Sequence, residues 1–200
     1  MKSLALLGCG LLALVSAPSF AVEPEKLCCL PTIEIQDLIT KVGKRNGIQF
    51  VVDPRVRGEV LLTGFDVDKV DYSKLLSILN VNQFGTYRQG DYVIVLPDAS
   101  ARQLPTPVYT DATFKEDANE YVTLMLMAKN VCAAHTVPVL RPLMPQAAHL
   151  AAEIGSNTVI INDRAANVRR IADMFARIDK ATPAGRSCPE GQMSSAKKGS

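Results

Sequence analysis

The chain has 200 residues, enough for one domain or two small ones. Its 22 basic and 20 acidic residues are scattered and give a formal net charge of +2, so charge offers no reason to expect nucleic acid or an anionic membrane as a partner. Hydrophobic residues make up 48% of the chain, aromatic residues only 6%, and tryptophan is absent, which predicts an aliphatic core.

Residues 1–21 have the features of a signal peptide. Lys2 supplies a positive charge, an apolar stretch follows, and small residues stand at the expected cleavage site, at Ser19 and Ala21. Lipoprotein cleavage before Cys9 is the alternative, but it leaves too few residues for the apolar region of a signal. No later stretch reaches the roughly 18 apolar residues of a membrane-spanning helix. The mature protein is therefore expected outside the cytoplasm, soluble and without a transmembrane segment.

Apolar residues at helical spacing predict two helices in the first part of the chain. The first runs from Glu34 to Asn46, with Thr32 as its N-cap and Gly47 as its stop. The second runs from Tyr72 to Leu79, with Asp71 as its N-cap.

Strands are predicted between and after these helices. The segments expected to be extended are Ile48–Val52, Glu59–Thr63, Gln83–Arg88 and Tyr92–Leu96. The last two form a hairpin in which Gly90 supplies the unusual backbone angle of the turn. Residues 27–99 are thus predicted to form a small α+β domain. Residues 100–119 carry prolines and small polar residues without an apolar period, which predicts a semi-extended linker.

Residues 120–180 are predicted to form a second α+β domain in the order β-α-β-β-α, an order shared with KH-like modules. Its segments are a strand at Tyr121–Met127, a helix at Cys132–Leu143 that Pro138 should kink, a hairpin of Leu150–Ile154 with Thr158–Asn162, and a helix at Ala165–Ile178. Five charged residues of this last region are expected to be solvated: Arg164, Arg169, Arg170, Asp173 and Arg177. Residues 181–200 are polar and small, which is typical of a disordered tail.

Four cysteines remain after the signal peptide, and an even number in an oxidising compartment indicates disulfides. They are Cys28, Cys29, Cys132 and Cys188. Four cysteines allow three connectivities, and the sequence does not choose among them. A bond from Cys28 or Cys29 to Cys132 would staple the two halves of the chain. The alternative is that Cys132 is a small buried apolar residue.

The sequence offers no catalytic or cofactor-binding constellation. Neither His135 nor His149 has a second ligand at metal-site spacing, and no glycine-rich phosphate loop is present. The pair Cys132 and His135 lacks the third group that a nucleophilic site needs. The motifs Asp53-Pro54-Arg55 and Asn162-Asp163-Arg164 are better explained as turns. We therefore expect no enzyme and no cofactor.

The order of motifs in Glu34–Ala99 resembles the first periplasmic domain of bacterial secretins, which is related to the short domain of TonB-dependent receptors. The matching features are Asp-Pro-Arg-Val-Arg-Gly at 53–58 between two strands, Leu-Leu-x-x-Leu at 75–79, and Gly-Asp-Tyr-Val-Ile at 90–94. Tyr121–Lys180 is similar to the next secretin repeat, through Leu-Arg-Pro-Leu at 140–143 and Ile178-Asp179. The type II secretion secretin, general secretion pathway protein D, is the family member that the chain resembles.

The resemblance implies a protein-binding role in the periplasm, with association to the outer-membrane secretin complex. The implied partners are the inner-membrane component of type II secretion, secretin subunits, including a second copy of this chain in a homo-oligomer, or secreted cargo. Pore formation is not carried over, because the barrel-forming part of the family has no counterpart in this sequence. The alternatives are a truncated or split secretin subunit whose barrel is on another chain, and a signalling module of the TonB-receptor type.

Small α+β domains with an exposed sheet edge can accept a partner strand, whose backbone then supplies the affinity. The strand Glu59–Thr63 is the candidate edge, with Val60, Leu61, Leu62 and Thr63 as partner-binding residues. The alternative is that this strand lies inside a sheet.

Overall fold

A computed structural model of the chain describes residues 32–64, 66–101, 103–183 and 188. The predicted signal peptide, Cys28 and Cys29 lie outside the described residues, and so does most of the predicted tail. Within the described part, residues 33–95 and residues 109–178 build two separate hydrophobic cores.

The first core combines two helices with two small sheets. In chain order its elements are β1 (Thr32–Glu34), α1 (Ile35–Asn46), β2 (Gln49–Val52), β3 (Glu59–Leu61), α2 (Tyr72–Val81), β4 (Phe84–Gln89) and β5 (Tyr92–Pro97). The strand order is β2-β5-β4 in one sheet, where β2 runs parallel and β4 antiparallel to β5. Strands β1 and β3 form a separate antiparallel pair, called the ribbon below.

Helix α1 buries the apolar face that its spacing predicts, and its buried apolar residues are Ile35, Leu38, Ile39 and Val42. Gly47 ends the helix in the left-handed conformation, at φ 64°, as predicted. The prediction for the helix start was wrong. Thr32 pairs with Leu61 inside the ribbon, and Glu34 holds the N-cap position without a side-chain hydrogen bond.

Helix α2 begins where the sequence predicts, because the Asp71 carboxylate accepts a hydrogen bond from the Lys74 backbone N–H at 2.8 Å. The helix extends to Val81, two residues beyond the predicted end at Leu79. The β4–β5 hairpin then turns at Gly90, whose φ of 57° confirms the predicted need for glycine there.

The predicted linker of residues 100–119 contributes to both secondary structure and core. A short helix, α3 (Asp98–Ala101), opens it, and β6 (Val108–Tyr109) pairs in parallel with Thr123 and Leu124. Phe114 is buried in the second core. Pro105 and Pro107 disfavour a helix beyond α3 but permit an extended edge strand, and two extended residues show no period in the sequence.

The second core has the predicted β-α-β-β-α order, with β6 added. Its further elements are β7 (Tyr121–Met127), α4 (Ala133–Leu140), β8 (His149–Glu153), β9 (Thr158–Arg164) and α5 (Ala165–Ala181). The strand order is β6-β7-β9-β8, and the three longer strands are antiparallel. Helix α4 contains Pro138 and passes at Arg141 into a 3-10 turn. The two cores confirm an α+β fold with small mixed sheets.

The interpretation of Asn162-Asp163-Arg164 as a turn was wrong. Strand β9 continues through all three residues, which pair with β7 and are almost completely buried. Arg164, expected to be solvated, is 7% exposed. Two of the causes lie far away in sequence, since Asn162 donates to Thr106 and Arg164 pairs with Asp98. Asp163 accepts a hydrogen bond from Asn167, four residues later.

Arg164 forms the main polar contact between the two cores. Its guanidinium lies 2.6 and 2.7 Å from the two carboxylate oxygens of Asp98, which follows β5, and it also donates to the Phe84 carbonyl at 3.2 Å. It stacks over the Tyr121 ring at 5.0 Å from the centroid. A buried charge needs such complete pairing to be tolerated. The pair therefore fixes the end of the first sheet against the start of the second core.

Helix α2 adds a second set of contacts between the cores. Tyr72 donates to the Glu120 carboxylate at 3.2 Å, and Ser73 donates to Asp117 at 2.6 Å. Burial, together with the negative charge of Glu120, raises the pKa of Tyr72 to about 12, so the phenol stays a neutral donor at physiological pH. Asn80 donates to Asn119 at 2.9 Å.

Gly85 permits the close approach of the two cores. A Cβ atom at this position would lie 2.7 Å from the Tyr121 ring and 3.2 Å from an Asp98 carboxylate oxygen. The Gly85 backbone of the first core thus packs directly against the Tyr121 ring of the second. There is no space for a side chain at position 85.

The loop of residues 128–132 before α4 is held by two side chains from elsewhere in the second core. Asp179, near the end of α5, accepts hydrogen bonds from the backbone N–H groups of Lys129, Asn130 and Val131. Asn157, at φ 52°, donates to the carbonyl oxygens of Ala128 and Val131.

A disulfide joins Cys132, at the end of this loop, to Cys188. The bond to Cys188 excludes the proposed link from Cys132 to Cys28 or Cys29, and it also excludes an unpaired Cys132. The physical reason is that α5 returns the chain to the loop, where the two Cα atoms lie 4.6 Å apart. A bonded Cys132 also cannot act as a nucleophile with His135, which is exposed on α4.

We expect Asp179→Asn to lower the free energy of unfolding by about 1–3 kcal/mol at pH 7, because three partly buried backbone N–H groups lose a charged acceptor. Burial acts to raise the pKa of Asp179, but the hydrogen bonds from Val131, Asn130 and Lys129 outweigh it and the pKa lies below its ordinary value. A lowered pKa in the folded state stabilises the fold above the unfolded pKa of roughly 4, and this stabilisation is lost as the pH falls further.

Urea unfolding at pH 7 and at pH 3 measures this effect, and the difference between wild type and variant should shrink at the lower pH. Asp173→Asn, which removes an exposed carboxylate from the same helix, is the control and should change stability little. A difference that stays constant with pH would contradict the proposed role of the carboxylate.

Arg164→Met should lower the free energy of unfolding by about 3–5 kcal/mol, because it leaves the Asp98 carboxylate buried without its partner. The matched control is Arg177→Met, which breaks an exposed pair with Asp173 and should change the same quantity by less than about 1 kcal/mol. Urea unfolding of both variants gives the comparison. Equal losses in the two would show that the buried pair does not couple the cores.

Candidate partner-binding ribbon

The ribbon has an open edge along β3. Strand β3 pairs with β1 on one side, and within the described residues no strand pairs with its other side. The N–H of Ile35 donates to the Gly58 carbonyl at 3.0 Å, just beyond the ribbon. Hydrogen-bonded and non-bonded residue pairs alternate in an antiparallel ladder. It follows that Ile33 and Val60 are bonded to each other, and that the backbone groups of Glu59 and Leu61 point away from β1.

The opposite edge of the ribbon, along β1, is less suited to accept a strand. Glu34 is the N-cap residue of α1, and the carbonyl of an N-cap residue accepts the first hydrogen bond of its helix. The chain also turns into α1 directly after Glu34. The β3 edge therefore offers the unpaired backbone donors and acceptors of the ribbon.

Of the four residues predicted to bind a partner, two point into the first core. Val60 and Leu62 are 6% and 7% exposed and pack against its other apolar residues. Leu61 is 47% exposed, and Thr63 is exposed beyond the end of the strand. Glu59, which the sequence interpretation left out, has the same outward position as Leu61 on β3.

The connection between β2 and β3 is a local turn, as the sequence predicts. The Asp53 carboxylate accepts hydrogen bonds from the Arg55 guanidinium at 2.8 and 3.0 Å and from its backbone N–H at 2.8 Å. Above all the side-chain hydrogen bonds lower the pKa of Asp53 to about 2, so it stays ionised. This turn connects β2 to the residues that precede β3.

The described residues contain no arrangement that indicates catalysis. No group of three His, Cys, Asp or Glu side chains among them could hold a metal ion. A cleft of about 580 Å³ lies where the two cores meet and is lined by Gln83, Pro97, Asp98, Ala99, Pro145, Gln146 and Ala147. Its one ionisable side chain, Asp98, is already paired with Arg164. No helix of the described part is long and apolar enough to span a membrane.

Comparison with known proteins places this fold in a family. Residues 30–95 match the sequence profile described as "GspD-like, N0 domain". The secretin XcpQ of Pseudomonas aeruginosa is 32% identical over 155 residues, which cover 76% of this chain and 22% of XcpQ. The secretin GspD of Vibrio cholerae is 30% identical over 174 residues, which cover 84% of this chain and 26% of GspD. The chain thus spans about a quarter of the length of these relatives.

Among solved structures, the type II secretion system outer membrane complex of Klebsiella pneumoniae, with PulD, PulS and the PulC HR domain, matches with a TM-score of 0.66. The sequence identity is 26%, and the match covers 76% of this chain and 26% of the other. Residues 30–95 are therefore a GspD-like N0 domain, and the chain is homologous to the N-terminal region of the type II secretion secretins, a non-enzymatic family of protein transport.

Proposed function

We propose that this chain is a periplasmic protein-binding module of, or accessory to, a type II secretion system, and that it docks a partner strand on the open edge of β3. The observation that carries the proposal is the pair of outward backbone positions at Glu59 and Leu61. A partner strand gains affinity from backbone hydrogen bonds to such an edge, and specificity from side chains beside it.

The partner that we favour is the inner-membrane component of the secretion system. The solved Klebsiella assembly contains the PulC HR domain together with PulD, the protein whose chain is similar to this one. Secretin subunits and secreted cargo are the other partners that the same edge could accept. Binding experiments with each of these separate the options.

The cores also support a division of the mature chain into two domains, at residues 27–99 and 120–180, with β6 and Phe114 of the intervening residues 100–119 packed into the second. Each core is built from elements close together in sequence. The buried Arg164–Asp98 pair and the contacts of α2 hold the two domains in one arrangement. A partner docked on the ribbon is thereby positioned relative to the second domain.

Leu61→Pro tests docking on the ribbon. The Leu61 N–H points away from β1, so proline removes a docking donor without removing a hydrogen bond of the ribbon. We expect the affinity of the mature chain from Val22 for the periplasmic region of the inner-membrane component to fall about tenfold or more, since a hydrogen bond and an apolar contact are lost. Isothermal titration calorimetry measures the affinity, and circular dichroism checks the fold.

Val81→Lys is the matched control. Val81 is 83% exposed at the end of α2, outside the ribbon, and replacing it should leave the affinity unchanged. Unchanged binding by Leu61→Pro would exclude the β3 edge as the docking site. No binding by the folded wild-type chain would exclude the inner-membrane component as the partner.

A further inference from the structure

The exposed face of the ribbon places two carboxylates directly opposite each other. Glu34 on β1 pairs in register with Glu59 on β3, and both side chains are exposed. The alternation of the ladder makes this a non-hydrogen-bonded pair, the kind in which side chains lie closest together. Like charges in directly opposed positions destabilise a strand pair.

No basic residue in the described part relieves this repulsion. Neither Glu34 nor Glu59 belongs to any of the ion pairs found there. Arg57, two residues before Glu59, donates its Nε–H to the Pro54 carbonyl instead. Elsewhere on the described surface, aspartates do have a basic neighbour, in the pairs Arg55–Asp53, Lys69–Asp66, Lys74–Asp71 and Arg177–Asp173. The ribbon is thus an acidic site on a surface where several carboxylates are paired locally.

An apolar position lies beside the acidic one on the same face. Leu61 stands two residues after Glu59, so both side chains point to the same side of β3. Leu61 is 47% exposed and faces Thr32 across the ribbon. The face therefore presents two carboxylates next to one exposed leucine, and Glu59 and Leu61 both lie on the strand with the open edge.

We propose that the strand docked on β3 carries a lysine or arginine beside Glu59 and an apolar residue beside Leu61, two positions apart. This inference rests on the proposed docking function and names the chemistry of its partner. A strand added next to β3 places its own side chains beside Glu59 and Leu61 on the same face. Strands lie about 4.8 Å apart, so a long basic side chain beside Glu59 can also approach Glu34 on the next strand.

The double variant Glu34→Gln/Glu59→Gln tests this charge complementarity. Its affinity for the periplasmic region of the inner-membrane component should fall about 3- to 10-fold at 50 mM NaCl, since two charge contacts are lost. The affinity of the wild type should weaken as NaCl rises to 300 mM, and that of the variant should depend less on salt. The variant should unfold at the same temperature as the wild type or higher, because a repulsion has been removed.

Asp91→Asn, which neutralises an exposed aspartate in the β4–β5 hairpin, is the control and should bind as the wild type does at both salt concentrations. If the double variant binds like the wild type while Leu61→Pro loses binding, the partner strand carries no basic residue beside Glu59, but docking on the β3 edge is still supported. If the wild type does not bind, the proposed function itself fails. A lower unfolding temperature of the double variant would show that the carboxylates stabilise the fold, which also overturns the inference.

Discussion

The buried ion pair of Arg164 and Asp98 is the main polar contact between the two cores of this protein. Arg164 is the last residue of β9 in the second core, and Asp98 is the first residue after β5 in the first core. A buried ion pair adds little stability compared with an apolar contact of similar size. Separating its two charges is nevertheless costly, because each is then left buried without a partner. The pair therefore specifies one arrangement of the cores, and Gly85 provides the close approach that this arrangement requires.

The local elements of the fold could be predicted from the sequence because their causes are local. Three examples are the buried face of α1, the Asp71 cap and the turn at Gly90. Each depends on residues that are close together in the sequence. The burial of Arg164 depends on Asp98, which lies 66 residues earlier. A run such as Asn-Asp-Arg is typical of a turn when its partners are unknown, and here the distant partners decide the outcome.

The candidate site was predictable only in part, for the same reason. The composition of residues 59–63 indicates a strand, but an edge exists only in relation to neighbouring strands. Strand β1 was missed because Thr32 has the chemistry of a helix cap, and a three-residue strand shows no clear alternation. Because β1 was not predicted, the sequence could not show that Glu59 points outward or that it lies directly across from Glu34.

The shortness of β3 has a consequence for how any docked partner behaves. An edge with two outward residues offers a handful of backbone hydrogen bonds, and each contributes only about 1 kcal/mol net. A contact of this size exchanges quickly, so one copy of the chain holds its partner only briefly. Avidity then decides the lifetime of the contact, because tethering several copies raises the effective concentration of edges around a partner with several strands. Such a surface suits a connection that is made and released repeatedly.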